Sequence, residues 1–234
     1  MLRATPNDPA RGTWLTVPDP VVAEAALAAR PDFAAIDLQH GTLTPAAAPG
    51  LLIAARAAGV ETWVRVPAND PAIIGWVLDI GAAGVIVPLV ESATEAAAAV
   101  AACRYPPAGR RSFGPFRASL IGMRDPGCVV MIETAAGVDA VGDIAAVPGL
   151  SGLYVGPVDL GISLGLPPNI DHDDAGFDAA LAAVVAAAGA NGVPVGAHAS
   201  PGLVAKRAGQ GFSFFTVTSD LGALTAGVRS ALGR

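Results

Sequence analysis

The chain is 234 residues long, with 53% hydrophobic residues, 15% charged residues and a formal net charge of −6. This length suits one large domain, and α/β barrels of this size usually form one. Scattered basic residues and the negative charge argue against a nucleic-acid partner, and no apolar run reaches the ~20 residues that a membrane-spanning helix needs.

Two cysteines and the first six residues indicate the cellular compartment. Cys103 and Cys128 are too few for a disulfide framework or a thiolate metal site. Residues 1–6 lack the apolar run of a signal peptide. We therefore expect a cytoplasmic protein.

Short apolar runs recur along the chain and predict eight β-strands. They are rich in β-branched and aromatic residues and are often followed by glycine or proline, which is typical of strands buried on both faces of a parallel sheet. The predicted strands are residues 14–17, 34–38, 62–66, 84–88, 129–133, 152–155, 194–197 and 213–217.

Alanine-rich segments between these strands predict helices. Capping residues stand directly before a proline at Asp70 and Ser200, which marks two helix starts. The predicted helices are residues 20–29, 46–58, 71–80, 93–103, 138–146, 174–190, 201–209 and 221–232.

The alternation of strands and helices predicts a (β/α)8 TIM barrel that forms a single domain over residues 1–234. The rival is an open, doubly wound sheet, which usually carries a glycine-rich turn after its first strand. Here Val17 is followed by Pro18-Asp19-Pro20 instead. Residues 104–127 show no clear strand, and we expect them to form a long loop over the carboxyl-terminal face.

Two carboxylates end consecutive predicted strands. Glu133 follows one apolar run, and Asp159 lies just after the next. Adjacent barrel strands are about 5 Å apart, so both side chains can reach one point. Two carboxylates with water suit Mg²⁺ or Mn²⁺ better than zinc. The alternative is that each acid caps the following helix.

A histidine and an aspartate stand at the end of the second strand. Asp37 precedes His40 by three residues, so the pair is a candidate acid/base dyad in which the carboxylate fixes the imidazole tautomer. The alternative is a histidine that bonds only to loop backbone.

An arginine lies inside the third predicted strand. The buried guanidinium of Arg65 needs anionic or carbonyl partners. It can bind substrate oxygens and stabilise an enolate, or it can form a purely structural ion pair.

Other polar residues are weaker candidates. Asp79 ends a helix, at the opposite pole of the barrel, and within one chain it is a poor catalytic residue. His198 and Asp220 follow the seventh and eighth strands as possible pocket residues, and His172 is expected to be solvated. The single lysine, Lys206, lies on a helix away from the strand ends, which argues against Schiff-base chemistry.

Six motifs, in this order along nearly the whole chain, resemble the HpcH/HpaI family of class II pyruvate aldolases, which includes 4-hydroxy-2-oxoheptane-1,7-dioate and 2-keto-3-deoxy-rhamnonate aldolases. They are Ile36-Asp37-Leu38-Gln39-His40-Gly41, Val64-Arg65-Val66-Pro67, residues 84–88, residues 104–111, Ile132-Glu133-Thr134 and Gly156-Pro157-Val158-Asp159-Leu160.

The resemblance implies a (β/α)8 barrel that cleaves 4-hydroxy-2-keto acids to pyruvate and an aldehyde. It implies a divalent metal, Mg²⁺, Mn²⁺ or Co²⁺, on Glu133 and Asp159, with no organic cofactor. Arg65 would bind the keto oxygen and His40, oriented by Asp37, would act as acid and base.

The resemblance also implies further substrate contacts and an assembly. Gly156, Pro157 and Val158 would line the substrate position. Asp79 would reach the histidine of a neighbouring subunit in a homo-oligomer, a trimer or a hexamer.

Two positions depart from the family pattern. The usual glutamate before the histidine is Gln39 here, and residues 117–128 are fewer than most relatives carry at the aldehyde end of the pocket. The nearest rival function is a malyl-CoA or citramalyl-CoA lyase. A barrel that binds a keto acid without turning it over is another.

Overall fold

Eight parallel strands close into a barrel and follow one another in sequence order. The computed structural model describes residues 4–114, 116–122 and 125–234. The strands are β1 (Ala10–Leu15), β2 (Phe33–Asp37), β3 (Glu61–Arg65), β4 (Gly84–Val87), β5 (Gly127–Ile132), β6 (Gly152–Val155), β7 (Val195–His198) and β8 (Phe214–Ser219). Each pairs with the next, and β8 pairs with β1. The predicted (β/α)8 barrel is confirmed.

Helices surround this barrel, and several begin as their sequence predicts. Asp19 and Asp70 each precede a proline and accept hydrogen bonds from backbone N–H groups of the helix that follows. The helices are α1 (Pro20–Leu27), α2 (Ala48–Ala57), α3 (Pro71–Asp79), α4 (Ala93–Cys103), α5 (Ala118–Ile121), α6 (Ala135–Asp139), α7 (Val141–Ala145), α8 (Pro157–Ser163), α9 (Ala175–Ala190), α10 (Val204–Gly209) and α11 (Asp220–Ala231).

The observed elements differ from the prediction in three respects. The first strand lies at Ala10–Leu15 rather than 14–17, because Ala10 and Trp14 alternate into the barrel interior. The helix predicted over 138–146 is two short helices, α6 and α7. Helices α5 and α8 were missed, since four and seven residues are too short to show a helical period.

The long segment after α4 lies at the amino-terminal pole, so its predicted place over the carboxyl-terminal face was wrong. It joins a helix to the strand that follows, and such connections lie at the end where strands begin. The backbone N–H of Arg117 donates to the carbonyl of Asp79 at 3.0 Å, and that of Gly127 to Ala83 at 3.0 Å. Residues 115, 123 and 124 of this segment lie outside the described residues.

Large side chains fill the barrel interior. Trp63 points inward from β3 and packs against Gly84 and Gly127 on the next two strands, where no side chain would fit. Trp14, Tyr154 and other inward-facing residues complete this cluster. The barrel is therefore a packed core rather than a channel, as TIM barrels generally are.

The last helix presents apolar side chains to the surface. Leu221, Leu224, Val228 and Leu232 of the α11 segment are each more than half exposed. Exposed apolar patches of this kind often mark protein interfaces. In the described part of the chain, no helix has both the length and the apolar character needed to cross a bilayer.

Candidate active site

A cavity of about 600 Å³ opens at the carboxyl-terminal mouth of the barrel. Active sites of TIM barrels lie at this face, because the loops that follow the strands converge there. The described residues that line the cavity include Trp14, Asp37, His40, Arg65, Tyr154, Gly156, Pro157, Val158, Asp159, Ile170 and His198.

Arg65, at the end of β3, is held by two contacts. Its Nε donates to Asp37 Oδ1 at 2.9 Å and its Nη2 to Oδ2 at 2.7 Å. The guanidinium carbon lies 4.6 Å from the centre of the Trp14 ring, in a cation–π contact. A guanidinium has five N–H donors, and the two that bind Asp37 fix its plane while the group faces the cavity.

The predicted Asp37–His40 dyad is replaced by this ion pair. Asp37 Oδ1 accepts from the backbone N–H of His40 at 3.2 Å and of Gln39 at 3.0 Å. Among the described residues, the Asp37 carboxylate makes no hydrogen bond to the His40 ring. The imidazole is exposed at the cavity wall. Asp37 thus orients Arg65 and shapes the loop that carries His40.

Glu133 lies directly after β5 and is only 2% exposed. Its Oε1 accepts from the backbone N–H of Leu89 at 2.8 Å. Burial raises the pKa of Glu133, the charge of Asp159 raises it further, and the Leu89 N–H and Arg65 oppose the increase. Leu89 has a φ of 54°, a left-handed conformation that is rare for leucine and typical of functional sites.

The glycine between β6 and α8 makes room for this carboxylate. A side chain at Gly156 would collide with Glu133 Oε2 and crowd Met131. Pro157 then begins α8, whose first turn carries Asp159 into the cavity wall. Gly156, Pro157 and Val158 all line the cavity.

The donor set suits a hard divalent cation. Glu133 and Asp159 are close enough for one charge to raise the pKa of the other, a repulsion that a cation between them would relieve. Within the described ranges, no group of three or more His, Cys, Asp or Glu side chains could hold a metal. The protein therefore offers two carboxylates, and water or substrate oxygens would complete the coordination, as Mg²⁺ sites allow.

A buried hydrogen-bond chain, not anticipated from the sequence, forms the floor of the cavity. The hydroxyls of Tyr154 and Thr216 are hydrogen-bonded, and His198 Nδ1 lies 3.2 Å from Thr216 Oγ1. Burial raises the pKa of Tyr154, and burial followed by the charge of Arg65 lowers the pKa of His198. Inward-facing polar residues on β6, β7 and β8 were the sequence signal that could have indicated this chain.

Asp79 is separate from this site within one chain. It ends α3 at the amino-terminal pole and accepts from Arg111 Nη2 at 2.6 Å. The sequence places it at that pole, and the structure agrees.

The remaining candidates have structural contacts. Asp220 accepts from the backbone N–H groups of Thr16 and Val17 and so ties β8 to the loop after β1. His172, expected in solvent, packs on Phe177 with ring centres 4.8 Å apart. Lys206 binds Asp171 at 2.8 Å.

Comparison with known proteins gives a consistent result. The family model for HpcH/HpaI aldolase/citrate lyase matches residues 11–223. The chain is 36% identical over 233 residues to a hydroxypyruvate/pyruvate aldolase of Rhizorhabdus wittichii, covering 96% of this chain and 93% of the relative. It is 36% identical over 221 residues to a 2-dehydro-3,6-dideoxy-6-sulfogluconate aldolase of Pseudomonas putida, covering 90% and 86%.

A crystal structure of an HpcH/HpaI aldolase/citrate lyase family protein from Burkholderia cenocepacia has the same fold. It superposes with a TM-score of 0.89 at 35% identity, covering 96% of this chain and 93% of that one.

Proposed function

The chain belongs to the HpcH/HpaI aldolase/citrate lyase family, and from this premise we propose that it is a class II pyruvate aldolase. Its family makes it a carbon–carbon lyase. The proposed reaction is the reversible cleavage of a 4-hydroxy-2-keto acid to pyruvate and an aldehyde. Both curated relatives described above are aldolases, which supports this reaction type over others on the same barrel.

Glu133 and Asp159 would hold the divalent metal, Mg²⁺, Mn²⁺ or Co²⁺. A bound cation of this kind polarises the carboxylate and keto oxygens of the substrate as a Lewis acid. The raised pKa of Glu133 beside Asp159 supports this assignment. In the proposal no organic cofactor takes part.

Arg65 would stabilise the negative charge that develops on the substrate during cleavage. When the bond between C3 and C4 breaks, its electron pair moves into an enolate whose negative charge lies on the C2 oxygen. A guanidinium aimed at that oxygen stabilises the charge where it forms. The ion pair with Asp37 fixes its plane in advance, so little reorganisation is needed during the reaction. This arrangement is the single observation that best supports the proposal.

His40 is the proposed proton carrier. It would accept the proton of the C4 hydroxyl as the aldehyde carbonyl forms. The protonated imidazole would then return this proton to the enolate carbon, which gives pyruvate. The exposed ring of His40 faces the outer cavity, where the aldehyde part of the substrate would lie. Val158 and Ile170 offer apolar surface at the same rim.

The proposed assembly is a homo-oligomer, a trimer or a hexamer, in the cytoplasm. Asp79 would complete the site of a neighbouring subunit from its place at the opposite pole. The exposed apolar residues of α11, together with Phe113 and Phe116 near Asp79, support subunit contacts. The two cysteines are free and buried, as suits a reducing compartment.

The decisive experiment measures pyruvate released from a panel of 4-hydroxy-2-keto acids, with malyl-CoA as the contrasting substrate. We expect release from at least one keto acid, dependent on Mg²⁺, Mn²⁺ or Co²⁺, and none from malyl-CoA. Cleavage of malyl-CoA alone would support the lyase alternative. Binding of pyruvate without turnover of any substrate would support a keto-acid-binding barrel.

A further inference from the structure

A second cavity, of about 380 Å³, lies at the amino-terminal pole, at the other end of the barrel from the substrate site. Helix α5 lines one side, and Leu52, Leu78 and Ile121 give it an apolar wall. The packed barrel interior around Trp63 separates it from the carboxyl-terminal mouth. The proposed aldolase chemistry reaches this pole only through Asp79, which binds the cavity-lining Arg111 and is not itself among the lining residues.

Three guanidinium groups line this amino-pole cavity, those of Arg56, Arg111 and Arg117. Arg117 Nη1 donates to the backbone carbonyl of Ile80 at 3.0 Å. Burial lowers the pKa of Arg117, and the neighbouring charge of Arg56 lowers it further. Within the part of the chain that the structure describes, the Arg56 side chain has no hydrogen-bond or ion-pair partner. These two cations therefore repel each other in the cavity.

Arg111 adds a buried donor that lacks a partner. Its Nη2 donates to Asp79, its guanidinium lies 4.7 Å from the centre of the Tyr105 ring, and the residue is only 7% exposed. Its Nε–H is buried and has no acceptor among the described residues. A buried donor without an acceptor is unfavourable, and a ligand oxygen would satisfy it.

The nearby acids do not balance these charges. Asp79 is already bound to Arg111. Glu61, which also lines the cavity, accepts from the indole N–H of Trp63 at 3.1 Å. Among the described residues, the three guanidinium groups of the cavity and these two carboxylates leave an excess of one positive charge.

We propose that this amino-pole cavity binds a small organic or inorganic anion through a carboxylate or phosphate group held between Arg56 and Arg117. Guanidinium groups recognise both anions through paired hydrogen bonds. The anion would relieve the repulsion between the two arginines, and its oxygens would offer an acceptor on the side of Arg111. The apolar wall would receive a short hydrocarbon part.

Isothermal titration calorimetry on the full chain tests this site. The buffer contains no phosphate or carboxylate and has low ionic strength, and the probes are inorganic phosphate and succinate in separate titrations. We expect at least one probe to bind at one site per chain, and the one that binds more tightly identifies the preferred group. Added chloride should weaken binding, because screening reduces the attraction between partly exposed charges.

Two variants and a control locate the bound anion. Arg56→Gln and Arg117→Gln should each raise the Kd by about tenfold or more, as expected when a charge-assisted pair is lost. Arg110→Gln removes the same charge from an exposed position outside the cavity and should change the Kd by less than about twofold.

The proposal is overturned if neither probe binds the unmodified protein. It is equally overturned if both glutamine variants bind like the unmodified protein while Arg65→Lys does not, since the anion would then lie at the carboxyl-terminal mouth. The Arg56 side chain is exposed and bonded to no described residue, so Arg56→Gln should fold even if Arg117→Gln does not.

Discussion

The carboxylate of Asp37 binds the guanidinium of Arg65 through both of its oxygens, at 2.9 and 2.7 Å. The Arg65 side chain is 11% exposed and that of Asp37 5%, so solvent screens the pair only weakly. The backbone N–H of His40 donates to the same carboxylate, whereas the His40 ring makes no hydrogen bond to it among the described residues. In the proposed mechanism Asp37 is therefore a positioning residue for the arginine.

Asp37→Asn should lower kcat for pyruvate release by about 10²-fold, because a neutral amide cannot hold the guanidinium plane at both ends. Arg65→Lys keeps the positive charge and loses the paired N–H donors of the guanidinium, and it should lower kcat by a similar factor. The double variant should be little worse than either single one. Steady-state kinetics on the four proteins measure this coupling, and thermal melts check that each is folded.

The same cycle run with His40→Gln is the control. If Asp37 acted through the His40 imidazole, Asp37→Asn would lower kcat little further in a His40→Gln protein. Its effect on kcat would also be fully additive with that of Arg65→Lys. We expect the reverse pattern.

Metal dependence should follow the two carboxylates. Thorough chelation with EDTA should abolish turnover, and Mg²⁺, Mn²⁺ or Co²⁺ should restore it. Mn²⁺ binding, followed by electron paramagnetic resonance without substrate, should weaken by about tenfold or more in Glu133→Gln and Asp159→Asn, since each removes a charged ligand. Glu24→Gln, on the exposed face of α1, should bind Mn²⁺ normally. Turnover that survives chelation would contradict the proposal.

Glu133→Gln should also stabilise the metal-free protein near neutral pH. The folded-state pKa of Glu133 is raised, chiefly by burial. The folded state thus favours the protonated form of Glu133. Its contribution to the free energy of unfolding is fully present below the pKa of the unfolded state and is lost as the pH rises through the pKa of the folded state. A neutral glutamine avoids that loss. A gain on the order of 1 kcal/mol would raise the Tm by about 2–4 °C in a chain of this size.

Melting curves from pH 4 to pH 8 measure this effect. The advantage of the glutamine variant should shrink as the pH falls toward 4, where the natural carboxyl is protonated as well. A gain that is constant with pH would mean that charge is not its cause.

Gly156→Ala should impair catalysis much more than other glycine substitutions. Its methyl group would collide with Glu133 Oε2, and displacing that carboxylate should reduce turnover by about 10²-fold and cost roughly 1–3 kcal/mol of stability. Gly142→Ala, on α7 in open space, is the matched control and should leave activity unchanged. Equal activity of the two variants in the pyruvate-release assay would argue against a role for the Glu133 position.

The sequence predicted the location of the candidate site better than the pairing of its side chains. Apolar runs mark buried strands, and polar residues that end them must lie at one mouth of the barrel, so Arg65, Glu133 and Asp159 could be placed there. The spacing of Asp37 and His40 indicated a pair because both sit on one loop. The partner of Asp37 is Arg65, which comes from the neighbouring strand. That Arg65 and His40 compete for the Asp37 carboxylate was not visible along the chain.

Two further features depend on tertiary packing. Residues 104–126 carry prolines, glycines and arginines, and this composition does not indicate the pole at which they lie. The left-handed backbone of Leu89 is held by a hydrogen bond to Glu133, 44 residues further on. No local pattern predicts such a conformation at a leucine.

Trp63 fills the barrel interior and closes the inner end of the candidate active-site cavity. Because Trp63 packs against Gly84 and Gly127, a product cannot pass through the barrel interior toward the amino-terminal pole. Arg65 is more buried than the exposed His40, so in the proposed binding mode the pyruvate part of the substrate would lie deeper than the aldehyde part. In the proposed cleavage reaction the aldehyde should therefore leave first and pyruvate last, and added pyruvate should inhibit competitively with respect to the keto acid.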